Sequence, residues 1–295
     1  VCQHEIRQEE VSRFLDYWRL SKSEFLHSLG TCSTTWGYGK DYQSFKEDDQ
    51  YFYSRWHSGD NEKALLEKAK DPENRKTLQE QGYLDADGKP IDSVIYRYNR
   101  HFFRSISFTD EPGIACFGCS LTHGVGLDQD HTWPDQLSKL LDIPCYNLGT
   151  PGFGLDLGAF YAINWLQEDL PNLKAIVSLE PPPNRSTIIS KKDQNNQYHF
   201  SSVKGVWQDL NMIKPEYLDQ YLNYVEGTGM MSNQWAHKTL ELIAQIRGIP
   251  YITMYKHTYN RNIVVKTDAR DLSHFGKDTM GSIAQHFADK FTSNS

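Results

Sequence analysis

In Gly118-Cys119-Ser120-Leu121-Thr122-His123-Gly124 a hydroxyl follows directly on an apolar run, between glycines that permit a tight turn. A serine there can present Oγ and its own backbone N–H to the same space, as a nucleophile requires; it can equally cap a following helix. Near the other end, Asp271-Leu272-Ser273-His274 sets a carboxylate and an imidazole three residues apart. That spacing lets Asp271 accept a hydrogen bond from one ring nitrogen of His274, fixing the tautomer and leaving the other nitrogen to take a hydroxyl proton. A helix-capping Asp beside a surface His would show the same spacing. Between the two lies Asn147-Leu148-Gly149-Thr150-Pro151-Gly152-Phe153-Gly154, a loop whose N–H groups can point at an oxyanion. A phosphate cradle or an ordinary turn has a similar composition. The glycines do not follow G-x-G-x-x-G, which disfavours a dinucleotide site.

Two further residues compete for roles. His123 stands three residues after Ser120 and is expected to line the cleft or face solvent, ranking well below His274 as a base. Asp268 is six residues from His274 and ranks below Asp271. The five cysteines, Cys2, Cys32, Cys116, Cys119 and Cys145, are odd in number and irregularly spaced, a poor disulfide framework that fits a reducing compartment. Cys116-Phe117-Gly118-Cys119 has no second pair and no histidine at ligand spacing, so zinc is not expected. The turn at Asp85 to Pro90 lacks the acidic spacing and closing Glu of a calcium loop.

The elements that must hold these groups are legible from about Ile114 onward. Ile114 to Phe117, Pro144 to Leu148, Ala175 to Leu179 and Pro250 to Tyr255 read as short apolar strands. Trp133 to Leu141, Leu155 to Leu166, Ser232 to Arg247 and Gly276 to Phe291 read as helices between and after them. This alternation predicts a three-layer α/β/α sandwich with a parallel sheet in the flavodoxin-like style. In such sheets ligands bind beyond the carboxyl ends of the strands, where Ser120, the Gly149 to Gly152 loop and the segment after Leu179 all fall. Residues 1–95 read as a mostly helical N-terminal extension: a helical stripe from Val11 to Leu20, a polar loop from Gly30 to Asp49, and a charged surface helix from Asn61 to Gln81 interrupted near Pro72. Residues 96–295 form the main domain, with an insertion at about 186–231 long enough for a lid, a binding loop or a small packed subdomain. Its aromatics, among them Tyr198, Trp207 and Tyr217, favour a sugar or aryl-bearing substrate slightly, core packing being their commoner use.

In this order and at these strand ends, the motifs resemble the SGNH hydrolase superfamily, the GDSL esterases and lipases. Gly118-Cys119-Ser120 is similar to its first block, with Cys119 where Asp is more usual. Gly152 is similar to the oxyanion glycine of the second block, and Asp271-x-x-His274, followed by Phe275-Gly276, to the last. The resemblance covers about residues 95–295, including Tyr96-Arg97-Tyr98-Asn99, which looks like a lead-in seen in some members. It implies Ser120 as nucleophile, His274 as base, Asp271 as its partner, and small-ester, lipid-ester or carbohydrate O-acetyl substrates, with no metal or organic cofactor. The third block departs: where the family offers an Asn after Gly-x, this chain reads Glu180-Pro181-Pro182-Pro183-Asn184-Arg185. Asn184 matches that oxyanion donor only across an extra residue and three prolines, and Arg185 is a cationic alternative. The altered block keeps two rivals open: an O-acyltransferase, and a non-catalytic binding or structural module in a larger assembly.

Composition narrows the partners. A net charge of −7 disfavours a nucleic-acid footprint, which needs a basic face. No apolar run approaches the roughly 20 residues of a membrane span. Val1-Cys2-Gln3-His4-Glu5 has neither the basic start nor the apolar core of a secretory leader, and the sequence points to a cytoplasmic location unless a leader was removed.

Overall fold

The computed structural model describes residues 21–26, 28, 51–57, 59–182, 185–190, 199–203, 218–255 and 263–294. The expected helix at Val11 to Leu20, the loop at Gly30 to Asp49 and Asn184 lie outside these residues.

The centre is a parallel four-stranded sheet of β3 (Gly113–Gly118), β4 (Cys145–Gly149), β5 (Leu173–Leu179) and β8 (Tyr251–Met254), in the order β4-β3-β5-β8. That is the order of the first four strands of the flavodoxin-like fold. Every residue of β3 and β4 is buried, and only Lys174 of β5 is exposed, because both sheet faces are covered. Alternation divides the side chains. Ala115 and Phe117 pack beneath α5 (Leu155–Asp169) and α6 (Leu218–Arg247), while Ile114 and Cys116 pack beneath α4 (Trp133–Leu141) and α7 (Lys277–Asn294). Two helices on each face give the three layers. Gly158 of α5 lets that helix sit on the Phe117 ring, since a Cβ there would lie 2.8 Å from Phe117 Cδ1.

The helix and strand boundaries follow the sequence reading closely, with one large difference. The helix read from Ser232 begins at Leu218 and runs through Gly227 and Gly229. Its packing along α5 and the sheet outweighs the helix cost of two glycines, about 1 kcal/mol each. Within the insertion, β6 (Ser186–Ser190) and β7 (His199–Val203) form an antiparallel hairpin.

The N-terminal part adds a strand pair that the helical reading does not anticipate. β1 (Tyr51–Ser54) runs antiparallel to β2 (Tyr96–Asn99), so the stretch opening the main domain is paired with the extension. The charged helix splits at Pro72, as the sequence suggests, into α1 (Glu62–Lys68) and α2 (Pro72–Glu80), capped by the side chains of Asn61 and Asp71. Leu65, Leu78, Tyr83, Leu84, Val94, Tyr96 and Tyr98 make a third core cluster, and Leu272 packs against it from the far end of the chain.

Candidate active site

Ser120 opens α3 (Ser120–His123), a single turn leaving the carboxyl end of β3. Gly118 has φ +155°, and a Cβ there would meet Thr122 Oγ1 and come within 2.8 Å of Leu179 O. Gly149 is equally close-packed: a Cβ there would meet His123 N and lie 2.8 Å from Thr122 Cβ. The tight strand-to-helix turn read from the sequence therefore rests on two glycines on adjacent strands. The turn is held at its far end by Arg104, wholly buried, whose guanidinium donates to the carbonyls of His123 (3.1 Å), Gly124 (2.5 Å), Leu127 (2.6 Å) and Ile95 (3.2 Å). Asn147 adds a bond from Nδ2 to Thr122 O at 2.8 Å, and its Oδ1 accepts from Gly149 N at 3.0 Å.

The structure brings Asp271 and His274 together. His274 Nδ1 lies 2.5 Å from Asp271 Oδ2, and Oδ1 of the same carboxylate accepts the backbone N–H groups of His274 (3.0 Å) and Ser273 (3.1 Å). Burial pushes the Asp271 carboxyl up, but the hydrogen bonds and charge of His274, together with those two N–H groups, outweigh it and hold the carboxyl below the ordinary carboxylate range. Asp271 therefore stays ionised and keeps Nδ1 protonated, leaving Nε2 as the basic nitrogen. The loop carrying the pair abuts the segment after α3: Arg270 N donates to Gly126 O at 2.9 Å, and Gly126 packs against Arg270 N and Asp271 N.

Ser120 is 9% exposed, and its Oγ has one hydrogen-bond partner among the described residues, Cys119 Sγ at 3.9 Å. It makes no hydrogen bond to His274 here; catalytic bonds of this kind are often long without substrate and tighten on binding. Neither Ser120 N nor Gly152 N donates a hydrogen bond among the described residues, and Gly152 turns its loop with φ +83°. Arg185 packs its backbone against Gly154, at the start of α5, and its buried Nη1 has no partner among the described residues. The same holds for Thr150 Oγ1, in the glycine loop.

His123 does not line an open cleft or face solvent, as the sequence reading expects. It is 2% exposed, with its ring against His57, Tyr96 and Tyr98. Burial above all, then the charges of His57, Arg104 and His274, keeps it well below the ordinary histidine range, so it is neutral. Asp268 accepts a bond from Gln81 Nε2 (3.3 Å) and lies against Gly276, away from the imidazole pairing that Asp271 makes. Arg104, Asp60, Lys68 and Arg270 carry no motif or spacing by which sequence reasoning could single them out. Only Arg270, adjoining Asp271, carried a positional hint. Among the described residues no group of His, Cys, Asp and Glu is arranged to hold a metal ion, and no helix is long and apolar enough to cross a membrane.

The site thus defines a class by position: a serine, a paired histidine and a glycine loop at the carboxyl edge of a parallel sheet. No family model and no curated protein matches the chain. Among solved structures it is similar to Est24, a carbohydrate acetylesterase from Sinorhizobium meliloti, at 14% identity over 63% of this chain and 100% of that one, TM-score 0.33. It is also similar to the native aryl esterase of M. smegmatis, at 17% identity over 62% and 99%, TM-score 0.32. A third is a lipolytic protein of the G-D-S-L family from Desulfitobacterium hafniense DCB-2, at 12% identity over 60% and 98%, TM-score 0.29.

Proposed function

We propose that this chain is a carboxylic ester hydrolase of the SGNH type, using Ser120, His274 and Asp271 in a two-step acyl transfer. The observation that supports it most is the 2.5 Å contact of His274 Nδ1 with the Asp271 carboxylate, on a loop bonded through Arg270 N to Gly126 O just after the Ser120 helix. In the first step His274 Nε2 takes the Ser120 proton as Oγ bonds to the ester carbonyl carbon. Negative charge then develops on the carbonyl oxygen, and the N–H groups of Ser120 and Gly152, which donate no hydrogen bond among the described residues, are our candidate donors to it. Arg185, whose Nη1 has no partner among the described residues, is our candidate for the third donor beside Asn184. The imidazolium returns its proton to the departing alkoxide, leaving an acyl-Ser120 ester. Water, deprotonated by His274, attacks that ester, the carboxylic acid leaves, and Ser120 recovers its proton. Asp271 stays ionised throughout, stabilising the imidazolium formed in each step. Small esters, lipid esters and carbohydrate O-acetyl groups are the substrate classes consistent with the motifs.

A second reading, a binding module on the same scaffold, is favoured by the shielded Ser120 and its lack of a bond to His274. Hydrolysis of short p-nitrophenyl esters by the wild type, Ser120→Ala and His274→Ala, with fluorophosphonate labelling, separates the two. Turnover and labelling that vanish in Ser120→Ala support the hydrolase. An unlabelled, inactive wild type overturns it in favour of binding.

A further inference from the structure

We infer that Asp60 and Lys68, two residues of the N-terminal region, are positioning residues that set the Asp271–His274 pair against the Ser120 helix. As catalysis this rests on the hydrolase reading; as geometry it stands alone. Arg270, 1% exposed and adjoining Asp271, is gripped by Asp60, also 1% exposed: Nε lies 3.0 Å from both carboxylate oxygens and Nη2 lies 2.7 Å from Oδ2. Nη2 also donates to Arg55 O at 2.7 Å, and the guanidinium sits 4.1 Å above the Trp56 ring. Asp60 in turn accepts the Tyr96 hydroxyl at 2.5 Å, and that hydroxyl accepts Gly126 N at 2.8 Å. Gly126 N is therefore tied to Asp60 through Tyr96, while Gly126 O receives Arg270 N. One carboxylate thus connects the chain after Ser120 to the chain before His274.

Lys68 fixes the other side. At the last turn of α1, its Nζ donates to Asp271 O and, at 2.9 Å, to Ser273 Oγ. Leu272 lies between these two ties, with φ +48° and its side chain packed on the N-terminal core cluster. A loop held in that left-handed conformation, gripped before Asp271, at Asp271 and after it, has little freedom to carry the imidazole away from Ser120. Structural support alone would not need its bonds concentrated on the residues flanking the catalytic carboxylate.

The test uses the full chain with p-nitrophenyl acetate as the kinetic probe and the low-field proton resonance of His274 Nδ1–H as a second readout, assigned by its loss in His274→Ala. Lys68→Met removes the half-exposed tie without burying a charge. It is expected to lower kcat about 10- to 100-fold with KM changed less than about twofold, and to shift or broaden the resonance. Asp60→Asn is expected to lose more than Asp60→Glu, which keeps the charge. Should Asp60→Asn fail to fold, the paired apolar replacement Asp60→Leu with Arg270→Met keeps the volume without an orphaned ion, and is expected to fold yet lose kcat and the wild-type resonance. Folded Lys68→Met and paired variants with wild-type kcat and resonance would overturn the inference. If the wild type proves inactive, the hydrolase reading falls, and the resonance alone decides: unchanged in both variants, it overturns the positioning role; displaced, it upholds it.

Discussion

Asp271 presents both carboxylate oxygens to the same residue, Oδ2 to the His274 ring and Oδ1 to the His274 backbone N–H. The side chain and the main chain of His274 are thus oriented by one group. In Asp271→Asn the amide oxygen can keep the backbone bonds while its NH2 faces Nδ1, driving the imidazole to the tautomer with its proton on Nε2, where it cannot accept from Ser120. We expect kcat to fall by about 10⁴-fold with a smaller effect on KM, the size found where a triad carboxylate is replaced by its amide. Steady-state kinetics on a short ester check this. A loss under tenfold would mean that the pairing does not serve catalysis.

Arg104 matters for a different reason. Its guanidinium donates to three carbonyls that end or follow the Ser120 helix and to Ile95 O before it, and it lies 4.4 Å over the Tyr96 ring. Arg104→Met would leave the carbonyls of His123 and Leu127 without their donor, while Gly124 O keeps Leu127 N at 3.2 Å, and the loss should cost about 3–5 kcal/mol. Arg104→Lys keeps a charge but not the fork geometry, so it is expected to recover only part of the loss. Urea unfolding midpoints give the comparison. Arg104→Met within about 1 kcal/mol of wild type would show that other donors or water replace the guanidinium.

How much of this was readable in advance depended on sequence distance. Asp271 and His274 are three residues apart, so local geometry alone joined them, and the apolar runs ending at Gly118 and Gly149 placed the turn and the glycine loop at one sheet edge. Trp133–Leu141 was read with the bounds the structure gives it, Pro134 lying in its first turn and a left-handed Asp142 following its last. The Asp60–Arg270 contact spans 210 residues and has no periodicity to betray it. Nor does any local pattern say that Arg104 is buried: a lone arginine in a polar stretch reads as surface, and only the curl of the chain around Ser120 gathers carbonyls about it. The start of α6 was missed because Gly227 and Gly229 look like breaks when packing partners are unknown.

His237, on the face of α6 turned to the sheet, supplies a pH dependence independent of the Asp271–His274 pair. Its Nδ1 lies 2.5 Å from the Tyr251 hydroxyl, which is 2.8 Å from Ser178 Oγ, and Ser178 donates to Thr253 Oγ1 at 3.0 Å. The other ring nitrogen, Nε2, is buried with no partner among the described residues, so a proton there would put a charge where none of them solvates it. Burial accordingly lowers this histidine to about 4. The unfolded chain binds the proton near 6.5 and the folded chain refuses it until about 4, so this group's contribution to stability is complete above pH 6.5 and lost as pH falls to about 4. The shift corresponds to about 3 kcal/mol. In His237→Gln, which cannot titrate, the fall in unfolding free energy between pH 7 and pH 4.5 should be smaller than in the wild type by most of that amount. Other groups titrate in the same interval, but they are common to both proteins and cancel in the difference. Parallel curves, differing by less than about 1 kcal/mol across the interval, would mean that the imidazole finds an acceptor or water on protonation.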